Sequence, residues 1–292
     1  MKILSFGEII WDIYSPTERT LGGAPLNFAA YTAMQGCDAY LASAVGSDEL
    51  GGLAIDELVS LGVRSDFIST VDGKPTGQCL VTLDSNGVPH YNVLENVAYD
   101  HIEFSSLGAP FDAICFGTLA LRGEDNKKTV EQILSKNSFS EVFTDLNIRP
   151  PFYSKDSIDF CLSRSTIVKI SDEELPLVMR SAFDKDADIA ESLRLISERY
   201  PQIKLILITC GEHGAMCYST DDGKTYSCPA APASVVSTVG AGDSFGATFL
   251  VQFMRTRDIP YSLQAAAKVS AFVVSNKESI PSGAANFIKS LV

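Results

Sequence analysis

Short apolar runs alternate along this chain with longer stretches of helical periodicity. "KILSFGEII" is a nearly continuous apolar run, the pattern of a buried first strand, and "GGAPLNFAAYTAMQG" reads as a helix with Pro25 near its first turn and Gly36 just past its end. "AYLASAV" is a second strand and "DELGGLAIDELVSLG" an amphipathic helix. "GQCLVTLDSNGVPHYNVL" then reads as two strands around a turn from Asp84 to Gly87, which interrupts the alternation. It resumes with "DAICFGT" as strand, "DNKKTVEQILSKN" as helix, "EVFTDL" as strand, "SIDFCLSRS" as helix and "TIVKIS" as strand. "ADIAESLRLISERY" is a further helix and "KLILITC" a strand. The strands "AMCYST" and "TYSCPA" follow, then two long helices from Ala241 and Tyr261.

Apolar strands alternating with helices predict an α/β fold, a mostly parallel sheet covered on both faces, with ligands at the carboxyl ends of the strands. No repeat or long linker divides the 292 residues, so a single domain is expected, with lid segments of about 11–21 and 73–102 inserted. Composition changes the picture in two ways. The net charge of −13 argues against non-specific binding to nucleic acid or anionic membrane and leaves a small-molecule partner. The seven cysteines are scattered, odd in number and never spaced C-x-x-C, so they read as reduced core residues of a cytoplasmic protein. No signal-peptide pattern opens the chain and no apolar run is long enough to span a bilayer.

The stretch with the most chemistry is "STVGAGDSFGATFL", Ser237 to Leu250. Glycines let backbone amides converge, and the helix that follows carries positive charge at its start, so the stretch can hold an anion. A glycine pair alone equally makes a plain strand-to-helix turn, but a turn does not call for Asp243 beside an anion site. The P-loop and protein-kinase motifs are absent, and the spacing from Gly240 to Gly246 is one residue too long for a dinucleotide fingerprint. His90, His101 and His213 are isolated from the cysteines, which dismisses a structural metal.

"STVGAGD" resembles the C-terminal signature of the ribokinase-like, or PfkB, carbohydrate kinases. "GGAPLNFA", "GSDELG", "TGQCLVTLDSNG", "DLNIRP", "VKISDEE" and "TCGEHGA" resemble further family segments in the expected order, over essentially the whole chain. The resemblance implies a ribokinase-like three-layer α/β/α fold with a small β-sheet lid. It implies an ATP-dependent sugar kinase in which Asp243 is the base and the amides of Gly240, Ala241 and Gly242 form the anion hole for the transferred phosphate. Asp12, Gly22, Gly23, Asn27 and Arg149 match substrate-binding positions. Asn147, Lys169, Glu174, Thr209, Gly211, Gly214 and Asn276 match the nucleotide side, and Glu174 is the matching magnesium position. ATP and Mg2+ are thereby implied, and so is a homodimer through the β lid.

Three departures stand out. Ser171 replaces the asparagine usual before the family's glutamate, Ser237 replaces the first aspartate of the signature, and Glu278 and Ser279 stand where a Gly-Ala pair is common. A neutral serine offers a cation less than a carboxylate does, so a monovalent cation (K+) is doubtful unless Glu278 turns inward. "GEIIWDIY", "LDSNG" and "DLNIRPPFY" resemble the fructokinase branch, which implies D-fructose as acceptor and fructose 6-phosphate as product. Ribose, 2-keto-3-deoxygluconate and nucleosides are the neighbouring acceptors, and the absence of Lys and Arg from Thr76 to His101 disfavours the keto acid. The departures motivate a second reading, a sugar-binding protein on the same fold without turnover. Trp11 is either a wall over the sugar or ordinary packing.

Overall fold

The computed structural model describes residues 1–83 and 89–291, so the Asp84 to Gly87 turn lies outside the described residues. Strands β1 (Lys2–Phe6), β2 (Ile10–Ile13) and β3 (Arg19–Gly22) precede helix α1 (Ala24–Met34), and β4 (Asp38–Gly46), α2 (Glu49–Ser60) and β5 (Arg64–Val71) follow. Next come β6 (Gly77–Leu83), β7 (Pro89–Val93), β8 (Ala113–Phe116), α3 (Glu124–Lys136), β9 (Glu141–Asp145), α4 (Lys155–Arg164) and β10 (Ile167–Ser171). The remainder holds α5 (Leu175–Phe183), α6 (Ile189–Arg199), β11 (Leu205–Thr209), β12 (Ala215–Ser219) and β13 (Lys224–Cys228). Helices α7 (Ala241–Thr256), α8 (Ile259–Val274) and α9 (Ala284–Leu291) close the described chain.

Nine strands form one sheet in the order β13-β12-β11-β10-β9-β8-β1-β4-β5, parallel from β11 to β5 and antiparallel at β12 and β13. Its inner strands, such as β1, β8 and β11, are largely apolar because both faces of the sheet are covered there. Ile206 and Ile208 of β11 point into a core with α3, α4, α5 and α6, while Leu205 and Leu207 point into the opposite core with α1, α7, α8 and α9. This is the three-layer α/β/α arrangement expected from the alternation.

A separate four-stranded sheet, ordered β3-β2-β6-β7, is built from the two inserted segments. Two boundaries differ from the sequence pattern. The first apolar run is two strands: β1 stops at Phe6, Gly7 turns the chain with a positive φ of 148°, and Ile10 restarts it in the small sheet. Strand β5 and helices α5 and α9 are not predicted by the sequence pattern. Strand β5 is a sheet edge whose side chains are mostly half-buried, so it lacks an apolar run, and α9 is only eight residues long. Among the described residues no helix is long and apolar enough to cross a membrane.

Candidate active site

The parallel strands deliver side chains to one edge. Glu8 follows β1, Thr118 follows β8, Asp145 and Asn147 end and follow β9, and Lys169 lies midway along β10. Helix α7 brings Asp243 to the same edge, and a cavity of about 20 Å³ lined by Glu8, Phe28, Thr118, Asp145, Asn147 and Asp243 lies between them, room for a water-sized molecule. A larger cavity of about 400 Å³ lies between residues 104–110 and the end of α3, where Lys136 is the one charged lining group. The clustered acids and amides, rather than cavity size, mark the former as the site.

Gly240 caps α7 in a left-handed conformation, φ 77°, and a Cβ there would lie 2.7 Å from that of Ser279. Both constraints require glycine. Ala241 N–H donates to Thr238 O at 3.2 Å, inside the turn. The amides of Gly242 and Asp243 lie in the first helical turn, where backbone geometry leaves donors unpaired, and the helix dipole adds positive charge. The half-buried Asp243 carboxylate accepts from Asn27 Nδ2 at 2.7 Å. Burial raises its pKa, while the Asn27 hydrogen bond and the charges of Lys169 and Arg149 oppose that rise.

Asn27 reaches Asp243 because of how α1 begins. Gly23 is its N-cap at φ 116°, a Cβ there would strike Glu8 O at 2.4 Å, and Pro25 lies in the first turn. Asp12 lies on β2 beside Cys79 of β6, whose thiol donates to it, and the Gly22 backbone passes close to its carboxylate. Burial raises the Asp12 pKa against the pull of the Cys79 hydrogen bond and the Arg149 charge. Arg149 is exposed, and its charge also bears on Glu8 and Asp243. Asn27 thus touches Asp243, Gly22 lies against Asp12, and the Arg149 charge bears on both Asp12 and Asp243.

The residues expected on the nucleotide side have other immediate partners. Lys169, 5% exposed, pairs through Nζ with both oxygens of Asp145 at 2.9 and 2.8 Å, directly behind Gly242. The two shifts pull apart: burial and the charges of Glu174 and Asp243 raise Asp145 to about 6, while Asp145 and its neighbours outweigh burial and raise Lys169. The two-oxygen geometry is that of an ion pair, so Lys169 is the charged cation among these acids. Glu174 accepts from Ile148 N at 2.6 Å and Ser171 N at 2.8 Å, and thereby pins the loop in which Asn147 has φ 40°. Ser171 Oγ accepts from Glu174 N at 3.1 Å, a bond a hydroxyl makes as well as an asparagine.

Thr209 ends β11 and its carbonyl accepts from Asp172 N at 2.9 Å, and Gly211 and Gly214 shape the turn into β12 with φ of 52° and 93°. Asn276 caps the end of α8, donating from Nδ2 to Phe272 O at 2.7 Å. Ser237 Oγ accepts from Val239 N at 3.3 Å, and Glu278 is exposed rather than turned inward. Trp11 is 4% exposed, donates to Leu50 O at 3.0 Å and belongs to the core under α1 and α2, which makes it packing and not a wall of the site.

Glu8 escaped the sequence reading. It is 4% exposed, and burial raises its pKa to about 7 against hydrogen bonds from its own amide and that of Ala24. A lone acid inside the apolar run "KILSFGEII" was the available signal.

For a magnesium ion the donors fit a particular mode. Among the described residues no group of three His, Cys, Asp or Glu side chains is placed to hold a metal, and both Glu174 oxygens already serve amides. Such a set suits an ion carried mainly by phosphate oxygens and water, not a protein cage.

Comparison with known proteins gives the family and the fold. The profile described as pfkB family carbohydrate kinase matches residues 2–285. The fructokinase of Klebsiella pneumoniae is 28% identical over 282 residues, covering 91% of this chain and 88% of its own. A crystal structure of fructokinase with bound ATP from Xylella fastidiosa superposes with a TM-score of 0.84 at 22% identity, over 99% and 98% of the two chains. Fructokinase of Vibrio cholerae O395 in fructose-, ADP- and calcium-bound form gives 0.81 at 19% identity, over 95% and 94%. Both show the same fold.

Proposed function

The chain belongs to the pfkB family of carbohydrate kinases, and from that premise we propose that it transfers the γ-phosphoryl group of ATP to the primary hydroxyl of D-fructose, giving fructose 6-phosphate. It is an ATP-dependent carbohydrate kinase that uses magnesium. The observation that carries the finer reading is Asp243 at the head of α7, held by Asn27 beside the amides of a glycine turn.

Phosphoryl transfer passes through a loose transition state with charge spread over the equatorial oxygens, so positioning and charge stabilisation provide most of the catalysis. The Gly240 to Gly242 turn and the first turn of α7 offer N–H groups and a helix dipole to that charge. Asp243 accepts the proton of the attacking hydroxyl, and its Asn27 bond aims it. Asp12, the Gly22–Gly23 backbone and Arg149 hold the sugar against the small sheet. Asn147, Lys169 and Glu174 shape the phosphate side, Lys169 as a fixed positive charge and Glu174 as the clamp of the Asn147 loop. Thr209, Gly211, Gly214 and Asn276 line the approach for the nucleotide. Magnesium, when bound, neutralises phosphate charge through oxygens and water.

The two inserted segments act as a lid in this reading, and exposed Leu80 and Tyr91 on the small sheet, with Tyr14 just past β2, support pairing with a second copy. Seven free thiols, all but Cys210 buried, support a cytoplasmic protein.

ADP release from ATP and magnesium over fructose, ribose, 2-keto-3-deoxygluconate, tagatose and adenosine tests the assignment. Highest kcat/KM on fructose supports it, and preference for another acceptor moves the substrate while keeping the chemistry. Sugar binding without turnover on any would favour the binding-protein reading.

A further inference from the structure

Ser279 lies in the loop between α8 and α9, far in sequence from α1, and is 4% exposed. Its hydroxyl donates to Asn27 Oδ1 at 3.4 Å, and the other side of the same amide donates to Asp243 Oδ2 at 2.7 Å. Its carbonyl accepts from the fully buried Tyr31 hydroxyl at 2.6 Å. Its Cβ, Cα and O pack on Gly240 so tightly that a Cβ there would lie within 2.7 to 2.9 Å of them. One residue thus touches both the cap of α7 and the amide that holds Asp243.

We infer that Ser279 is a positioning residue for the transfer reaction, fixing the orientation of the Asn27 amide toward Asp243 and the backbone of the Gly240 turn together. An asparagine amide has one donor end and one acceptor end, and rotation by half a turn exchanges them. The Ser279 hydroxyl occupies the acceptor end, which leaves the donor end for the carboxylate. Tyr31 in turn anchors the Ser279 backbone, so the 275–283 loop is read out at the reacting centre. The inference rests on the proposal that Asp243 is the base.

Removing the hydroxyl has a signature that a packing role lacks. With Asn27 less restrained, Asp243 loses part of a hydrogen bond that favours its ionised form, so its pKa rises. Lys169 on β10, Arg149 and Asp145 near the end of β9, Glu8 after β1, Tyr31 on α1 and Cys115 on β8 also face Asp243, and none changes in the variant.

The test compares Ser279→Ala, Ser279→Thr and Asp243→Asn with the parent, using D-fructose with ATP and magnesium, together with a carbon-13 titration of the Asp243 carboxyl that needs no acceptor. Ser279→Ala is expected to lower kcat about tenfold with KM nearly unchanged. Its acid limb and the Asp243 titration should both move to higher pH, and Ser279→Thr should restore them. An unmoved Asp243 titration in Ser279→Ala overturns the inference, whether or not kcat falls. Full turnover in Asp243→Asn is a separate failure, that of the base assignment.

Discussion

Asn27 donates to Asp243 across 2.7 Å of space and 216 positions of sequence. The bond joins α1 to α7, so in the proposed function one amide sets the sugar side and the phosphate side relative to each other. It also works against burial: the carboxylate is pushed toward its protonated form by its surroundings and drawn back by Asn27, Lys169 and Arg149. A base needs both conditions, accessibility to a proton and an ionised resting form.

The Lys169–Asp145 pair is buried on both sides, with side chains 6% and 8% exposed. Replacing Lys169 by Met leaves an uncompensated buried carboxylate and is expected to destabilise the fold by about 3–5 kcal/mol, seen in urea unfolding. The double replacement Lys169→Met with Asp145→Leu is expected to recover much of that stability without recovering activity.

Glu8 makes a pH prediction. Its folded pKa, about 7, lies above its ordinary 4.5, so the folded state holds the proton more tightly. The stabilisation is complete below the ordinary value and is lost as pH rises through about 7. Glu8→Gln removes that dependence, so between pH 5 and pH 8 the parent should lose on the order of 3 kcal/mol that the variant keeps. Equal pH dependence of the two unfolding curves would contradict the burial argument.

Much of this was legible in the sequence because it follows from local rules. The alternation gave the layers, and the glycine turn before an apolar helix gave the start of α7 at Gly240. What was not legible depends on contacts made only in three dimensions. Nothing near Lys169 in sequence announces Asp145 as its partner, and nothing near Asn276 shows that its amide is spent on capping α8. Glu174 looked like a metal position and proves to hold two amides, a use its spacing cannot reveal. Ser279 looked like a departure in a loop, yet it packs against Gly240, the cap of α7.

The alkali-cation requirement follows from two of these placements. Glu278 faces solvent and Ser237 Oγ takes the Val239 amide, so neither supplies a carboxylate beside the glycine turn. Initial rates in potassium and sodium salts at equal ionic strength are expected to agree within assay error. A strong preference for potassium would show that backbone carbonyls alone suffice.

In the proposed reaction Asp243 takes the proton of the attacking hydroxyl. The direct measurement is kcat for Asp243→Asn, with sugar and nucleotide affinities measured by calorimetry on the same preparation. The asparagine keeps an oxygen for Asn27 to donate to, so the site geometry survives while the base is gone. Near-parent affinities and a fall in kcat of about 10²–10⁴-fold are expected. A variant with unchanged affinities and a kcat within about threefold of the parent, far less than loss of a general base costs, would contradict the assignment of Asp243 as base.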